Sequence, residues 1–188
     1  MPAKKVINKE KILRFALEMV ENEGEKALSA RALAARMGCS TQPIYLSFSG
    51  MEELRNALGE RARAIYGDYF LKEEEESLFM KSALSFLRFA YEKPKLFDFL
   101  YGDHPPESGN ADAEFRREII SRMQAIGGYS EETAERFFLE CRVYFHGLAT
   151  LYAHGQLTLS WDGIRAFALD EFAALKNYFG GSGHAKRD

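Results

Sequence analysis

The chain has 188 residues, 46% hydrophobic and 28% charged, so it can bury a core and is not predicted to be disordered. No apolar run approaches the roughly 18 residues of a membrane span, and the charged start up to Lys11 lacks the apolar stretch of a secretory signal. Two cysteines, Cys39 and Cys141, are too few for a disulfide scaffold and favour a reducing cytoplasm. The net charge of −3 divides into +3 for residues 1–50 and −6 for residues 51–188. This division indicates a polyanion-binding module joined to a second part.

Apolar residues recur three and four positions apart, and this spacing predicts an all-α fold. The first helix is predicted between its N-cap Asn8 and Gly24, which ends it. A short second helix follows the cap residue Ser29 and ends at Gly38. These two helices bury regularly spaced apolar residues: Ile12, Phe15, Ala16, Met19, Val20, Ala30, Leu33, Ala34 and Met37.

A third helix is predicted from Ser40 to about Phe48, with Pro43 in its first turn, where the missing N–H costs little. Ser49 and Glu52 have the spacing of a capping box, which predicts a fourth helix over about residues 51–71.

The later signals remain helical. Five further segments are predicted at about residues 77–91, 95–101, 112–126, 131–153 and 162–179. Residues 102–110 contain Pro105 and Pro106 between two glycines and are predicted to form an exposed loop. The Gly/Ser-rich tail from Gly180 is predicted to be disordered.

Residues 29–48 have the pattern of a helix-turn-helix, with a glycine in the tight turn and a small polar residue after it. Such a turn sets two helices at a steep angle, so that the second can enter the major groove of DNA. The first residues of this second helix are compact and hydrogen-bonding, which suits base edges and phosphates: Ser40, Thr41, Gln42 and Pro43. Ile44 and Phe48, four residues apart, are expected to anchor its other face to the core.

A longer pattern surrounds this motif without a gap: Ile12, Ala16, Gly24, Ser29, Arg31, Leu33, Ala34, Gly38, Ser40, Ile44, Tyr45, Phe48, Glu52 and Leu54. With this spacing, residues 9–54 resemble the N-terminal domain of the tetracycline-repressor (TetR) family of transcriptional regulators. The chain departs from the family at Gly50-Met51, where a phosphate-contacting lysine is usual. Either nonspecific DNA affinity is weaker, or Lys4, Lys5 and Lys9 compensate.

The resemblance implies operator contacts by eight residues: Ser29, Arg31, Ser40, Thr41, Gln42, Pro43, Tyr45 and Ser47. Tyr45 is expected to reach a phosphate rather than the core, since Ile44 and Phe48 already fill the core face. Phosphate contact and a solvated surface charge are equally good interpretations of Arg31.

Residues 89–97 and 145–151 resemble the ligand-sensing domains of the family more loosely. Phe145-His146-Gly147 resembles the signature of a Trp-His-Gly subgroup, with Phe145 in the Trp position. The family fold implies an effector cavity among the middle helices, with these candidate contacts: Phe86, Phe89, Tyr101, Tyr144 and His146. Most aromatic residues here are expected to be core, and a buried, hydrogen-bonded His146 is favoured over a ligand contact.

A homodimer is also predicted. The family fold implies that the last two helices pair with their mates as a four-helix bundle. Six apolar residues of these helices spread too widely around the helical wheel to face a single core: Phe137, Phe138, Leu148, Leu151, Phe167 and Leu169. Gly147, inside a helix, indicates a close neighbouring backbone. In the fourth helix, Gly59 and Gly67 either make the helix easier to bend or permit close packing of a neighbour. The two interpretations are equally favoured.

The sequence therefore predicts a DNA-binding domain at residues 1–50, an effector-binding and dimerisation domain at 51–179, and a tail at 180–188. We expect a cytoplasmic homodimeric repressor, released from an inverted-repeat operator by an unidentified small molecule. The alternative is a helix-turn-helix regulator controlled by a protein partner. No hydrolase, phosphate-binding or Cys-x-x-Cys motif is present, so no enzymatic activity, metal, cofactor or membrane contact is predicted.

Overall fold

The computed structural model describes residues 7–75, 77–107 and 111–180, and this part of the chain forms nine α-helices, one 3-10 turn and no strand. The helices are α1 Lys9–Glu23, α2 Ala30–Met37, α3 Gln42–Ser47, α4 Met51–Lys72, α5 Leu78–Glu92, α6 Pro94–Tyr101, α7 Ala111–Gly127, α8 Glu131–Ala153 and α9 Trp161–Gly180. The predicted all-α class is confirmed. Gly180 ends α9, and the rest of the predicted tail lies outside the described residues.

The helices form two compact units. The first contains the described residues up to Asp68 together with those from Lys93 to Glu107, and the second contains Tyr69–Glu92 and the described residues from 111 onward. This division differs from the predicted domain boundary at residue 50, because most of α4 and all of α6 belong to the same unit as the helix-turn-helix.

The first unit is built around α1, which contacts α2, α3 and α6. Asn8 caps α1 as predicted, with its Oδ1 accepting the Lys11 N–H at 2.9 Å, and Gly24 ends it at φ +88°. The core of the unit consists of side chains with no exposed surface: Ile12, Ala16, Val20, Leu33, Ile44, Leu54, Leu58, Ala62 and Leu96. These residues confirm the helical spacing read from the sequence.

The start of α4 differs from the predicted capping box. The Leu54 N–H donates to the Gly50 carbonyl, so Gly50 rather than Ser49 provides the first carbonyl of the helix. The glutamate that reaches back is therefore Glu53, whose Oε2 accepts the Ser49 N–H at 2.7 Å. The prediction of Glu52 in this role is wrong by one residue.

The loop after α6 is also less exposed than predicted. Pro106 is buried, because its ring packs against Gly59 of α4. The predicted loop continues through residues 108–110, which lie outside the described residues.

The second unit packs α5, α7 and α9 around α8. Phe79 of α5 stacks on Phe172 of α9 at 5.5 Å between ring centroids and makes an edge contact with Phe138 of α8 at 6.0 Å. Ser130 caps α8 as predicted by accepting the Thr133 N–H at 3.2 Å.

The six apolar residues assigned to the dimer interface separate into three groups. Phe137, Phe138 and Leu148 are buried within the chain, so no dimer interface is needed to cover these three side chains. Leu169 is half-buried, whereas Leu151 and Phe167 are exposed. Two residues of α8 not singled out from the sequence, Leu139 and Val143, are exposed as well.

Candidate functional site

The helix-turn-helix is formed by α2, a tight turn and α3. The Oγ of Ser29 caps α2 by accepting the Ala32 N–H at 3.2 Å, and this bond explains why the chain becomes helical after residue 29. Gly38 ends α2 in the left-handed conformation at φ +67°, which an L side chain rarely adopts. The turn predicted at Gly38 is confirmed.

The helix α3 begins two residues later than predicted, at Gln42 rather than Ser40. Pro43 does not interrupt the helix at this position, because the first N–H groups of a helix have no partner within it. The next N–H, that of Ile44, donates to the Thr41 carbonyl at 3.1 Å, so the first helical hydrogen bond starts at Thr41.

The structure places the eight predicted DNA-binding residues on α2, α3 and the turn. Five of them are exposed: Ser29, Arg31, Ser40, Gln42 and Tyr45. The other three are half-exposed: Thr41, Pro43 and Ser47. The Oγ of Ser29 is occupied by the cap of α2, so its role within the chain is structural.

Tyr45 has the geometry expected of a residue that reaches outward from α3. Ile44 has no exposed surface and Phe48 only 2%, so these two side chains fill the core face as predicted. Tyr45 is 55% exposed, and its hydroxyl forms no hydrogen bond within the described part of the chain. The hydroxyl is therefore available to an external acceptor such as a phosphate oxygen.

Leu46 is the residue of α3 that the sequence reasoning missed. Its side chain is 79% exposed, more than that of Tyr45 beside it. The available signal was the spacing of Ile44 and Phe48, since the residue midway between two core positions of a helix points to the opposite side. A large apolar side chain there is suited to apolar contact with the methyl group of thymine.

Most of the cations of the first unit are already paired with carboxylates. The pairs on α1, α2 and α4 and near α6 are Lys9–Glu53, Arg14–Glu18, Arg36–Glu23, Arg55–Glu25, Arg61–Glu10, Arg63–Glu60 and Lys93–Glu21. Arg31 is an exception, because it is exposed and pairs with no carboxylate among residues 7–75, 77–107 and 111–180. An exposed guanidinium that is unpaired in the described chain agrees with both interpretations of Arg31, phosphate contact and a solvated surface charge.

The predicted effector residues do not all lie in one unit. Tyr101 belongs to the first unit, and the other four belong to the second. Phe86 of α5 and His146 of α8 stack with their ring centroids 5.8 Å apart. Phe89 has no exposed surface and meets the edge of Tyr69 at 5.7 Å, while Tyr144 is half-buried.

His146 is exposed, so the expectation of a buried histidine is wrong. The stack against Phe86 covers only part of the ring. That partial shielding from water, with the nearby Arg142 as a second cause, lowers the pKa of His146 below its usual value. A neutral imidazole beside an aromatic ring is therefore favoured near neutral pH.

An open groove of about 350 Å³ lies between α7 and α8. Five of its seven lining residues are charged, although most of the surface that they present is apolar: Arg116, Glu132, Glu135, Arg136 and Arg142, with Phe138 and Leu139. None of the predicted effector residues lines this groove.

Residues 79–174, just over half of the chain, match the sequence profile of the family described as "Tetracyclin repressor-like, C-terminal domain". The chain belongs to this family. This match lies in the second unit and the segment around α6, whereas the resemblance of residues 9–54 lies at the other end of the chain.

Solved structures of TetR from Acinetobacter baumannii AYE share the fold. A substituted variant of that TetR, in complex with minocycline, superposes with a TM-score of 0.61 at 22% identity, covering 93% of this chain and 97% of that chain. TetR without the substitution gives a TM-score of 0.62 at 19% identity over the same shares of the two chains. No curated protein matches the sequence.

The TetR-like chain is accordingly a helix-turn-helix transcriptional regulator and not an enzyme. No helix in the described ranges is long and apolar enough to cross a bilayer. Within the same ranges, no group of three or more His, Cys, Asp or Glu side chains has the arrangement of a metal site.

Proposed function

We propose that this regulator is a cytoplasmic homodimeric repressor that binds an inverted-repeat operator and is released from it by a small-molecule effector. The observation that carries the DNA-binding part is the outer face of α3. Gln42, Tyr45 and Leu46 are all exposed there, and none of the three side chains is hydrogen-bonded within the described chain. A helix that presents to solvent an amide and a hydroxyl without partners in the described chain, together with an exposed leucine, is suited to the major groove.

The residues of this face fall into two roles. Arg31 and Tyr45 carry a positive charge and a free hydroxyl, so we assign them to phosphates, which position the protein without reading sequence. Thr41, Gln42 and Leu46 carry the groups that distinguish base edges, and we assign them to base recognition. Ser40, Pro43 and Ser47 border this surface.

Two observations support the homodimer. Leu139, Val143 and Leu151 of α8 and Phe167 of α9 are exposed in the single chain, with exposed fractions between 42% and 66%. A Cβ added to Gly147, which lies on the same face of α8, would meet no atom within 4 Å among the described residues, apart from the backbone of its own helix. The described residues therefore do not supply the close backbone expected at Gly147, and we propose that a second copy supplies it across a two-fold axis.

The operator follows from this symmetry. Two recognition helices of a dimer read half-sites about 34 Å apart, so the operator should be an inverted repeat. The test is footprinting with the purified protein on DNA from upstream of its own gene, followed by titration of the protected duplex. Tyr45→Phe and Tyr45→Ala should weaken binding to all sequences, whereas Thr41→Ala and Gln42→Ala should also relax base preference.

Gln156→Ala provides the matched control for Gln42→Ala, because Gln156 is exposed but lies beyond α8 in the second unit. It should bind the operator like the wild type. Absence of any protected duplex, or equal binding by all the variants, would contradict the proposed operator surface.

For the effector, we propose contact with aromatic residues of the second unit, foremost the stacked Phe86–His146 pair. A substituted variant of TetR from Acinetobacter baumannii AYE was solved in complex with minocycline, and minocycline and other polycyclic compounds are therefore the first probes. Phe89 and Tyr144 of the second unit remain candidate contacts.

The effector is tested by adding minocycline and other polycyclic compounds to the preformed operator complex. A compound that dissociates the complex should lose potency with Phe86→Ala or His146→Ala, while operator binding without the compound stays unchanged. Selective operator binding that only a cellular protein abolishes would instead favour the regulator controlled by a protein partner.

A further inference from the structure

An ion pair lies where α3 ends and α4 begins. The Nζ of Lys9, the first residue of α1, is 3.3 Å from Oε1 of Glu53 in the first turn of α4. The side chains are 53% and 43% exposed, so water and salt screen the attraction and the pair is easily exchanged.

Glu53 does not depend on Lys9 for its position. Its other carboxylate oxygen, Oε2, accepts the Ser49 N–H at 2.7 Å. The hydrogen bonds from Ser49, backbone first, and then the bond from Lys9 hold the pKa of Glu53 below its usual value. The carboxylate therefore stays charged and in place when Lys9 moves away.

Lys9 is held close to the end of the recognition helix. Its ammonium lies over the ring of Phe48, 4.7 Å from the ring centroid, and Phe48 is the residue that ends α3. The contact with this ring orders the lysine stem, while the exposed ammonium keeps access to solvent. A cation at the end of a helix lying in a DNA groove is close to the sugar–phosphate backbone.

Two other cations of the first unit, Arg55 and Lys93, are less available. Arg55 pairs with Glu25, and only 15% of its side chain is exposed, while Lys93 pairs with Glu21 as a half-buried residue. The Lys9 pair thus combines exposure with a place beside α3, and Arg31 supplies a cation on α2 that pairs with no carboxylate in the described part of the chain.

We propose that operator DNA takes Lys9 from Glu53, so that Lys9 binds a phosphate and Glu53 acts as an intramolecular competitor that limits affinity. This inference rests on the proposed function, since it concerns the same DNA-binding surface. Glu53 opposes binding in two ways: it must give up Lys9, and its remaining charge then repels the nearby phosphate.

The competition has a signature in the salt dependence of binding. A lysine that neutralises a phosphate releases condensed counterions, which steepens the fall of affinity with salt. When Lys9 leaves Glu53 for a phosphate, cations from solution gather around the freed carboxylate. This uptake offsets part of the counterion release from the DNA, so the salt dependence of binding becomes less steep. Removing the carboxylate should therefore increase both the affinity and the steepness.

The experiment measures the dissociation constant for the footprinted operator duplex at several salt concentrations. The proteins are the wild type, Glu53→Gln, Lys9→Gln and the double variant. The amide introduced by Glu53→Gln keeps a carbonyl oxygen for the Ser49 N–H, and Glu53→Ala serves as a second route to the same loss of charge. Glu52→Gln is the matched control, because Glu52 is the neighbouring acidic residue of the same helical turn and is 75% exposed.

We expect Glu53→Gln to tighten operator binding by about tenfold for the dimer and to steepen its salt dependence. Glu52→Gln should tighten it much less. Lys9→Gln should weaken binding, and Glu53→Gln should give little gain when Lys9 has already been replaced. Thermal unfolding of each variant shows whether a change in binding follows from a change in folding.

Two results would overturn the inference: an equal gain from Glu53→Gln with and without Lys9, or equal gains from Glu52→Gln and Glu53→Gln. Either result would mean that the carboxylate acts only through general charge repulsion. A wild-type protein that binds no operator duplex would contradict the proposed function itself, which separates the two failures.

Discussion

Pro106 packs so closely on Gly59 that a Cβ added to this glycine would lie 2.7 Å from both Cβ and Cγ of the proline. The same loop is bound to α4 by two more side chains. The Glu107 N–H donates to Oδ1 of Asn56 at 3.2 Å, and Arg63 donates to the carbonyls of Pro106 and Glu107. The loop after α6 therefore packs against the middle of α4, and of the two interpretations of Gly59 the structure supports close packing.

Replacing Gly59 with alanine should lower stability by about 1–3 kcal/mol, because the added methyl group overpacks the contact with Pro106. Gly67 on the same helix gives the matched control. A Cβ there meets no atom within 4 Å, and Gly67→Ala should raise stability by about 0.5–1 kcal/mol through its higher helix propensity. Chemical denaturation of both variants measures the difference. Equal effects at the two positions would contradict the packing argument.

The sequence predicted the helix boundaries best where they depend on neighbours in the chain. Asn8, Ser29 and Ser130 cap helices as predicted, because a cap needs only an N–H two or three residues ahead. The burial of Pro106 depends on Gly59, 47 positions earlier in the sequence, and no local pattern contains that contact. Long-range packing of this kind becomes visible only in the folded chain.

The candidate site shows the same limit. The outward direction of Tyr45 followed from the helical spacing of Ile44 and Phe48, and the same spacing applied to Leu46 would have identified it too. The exposure of His146 did not follow from the sequence, since its position depends on how α8 packs against α5. The pairing of Lys9 with Glu53 likewise joins two helices that are distant in sequence.

Leu46 should read a thymine methyl group in the operator. Replacing one thymine of a half-site with uracil removes only that methyl group, so binding should weaken about three- to tenfold at the thymine that Leu46 contacts. Leu46→Ala should bind the thymine operator more weakly and should not distinguish it from the uracil operator. Scanning each thymine in turn by fluorescence anisotropy locates the contact. A wild-type protein indifferent to every uracil substitution would exclude this role.

The two cysteines should differ in reactivity. Cys141 has no exposed surface, and burial, followed by the charges of Glu171 and Glu140, raises its pKa to about 12. Only about one Cys141 thiol in ten thousand would be ionised at pH 8, and the thiolate is the reactive form. Cys39 is partly exposed in the turn before α3.

Iodoacetamide at pH 8 should therefore modify one thiol per folded chain and two in urea, as measured by mass spectrometry. The Cys39→Ser variant should remain unmodified until it is unfolded. Modification of Cys141 in the folded protein at a rate similar to Cys39 would show that this part of α8 opens readily.

The exposed apolar face of α8 and α9 should determine the oligomeric state. Val143 is 66% exposed and Phe167 is 51% exposed, and both would become buried if a second copy covered this face. Placing an unpaired carboxylate there by Val143→Glu or Phe167→Glu should cost at least about 3 kcal/mol of dimer stability, which corresponds to more than a hundredfold in the dissociation constant. Sedimentation velocity at micromolar concentration should then show a dimer for the wild type and a monomer for both variants.

Ile126 supplies the control, because it is 84% exposed at the end of α7 and outside this face. Ile126→Glu should leave the dimer intact, so that loss of the dimer in the other two variants is assigned to position and not to added charge. Since two linked recognition helices bind an inverted repeat far more tightly than one, Val143→Glu should also reduce operator affinity while leaving binding to a single half-site unchanged. A monomeric wild type, or dimers that survive both substitutions, would show that this face is not the interface.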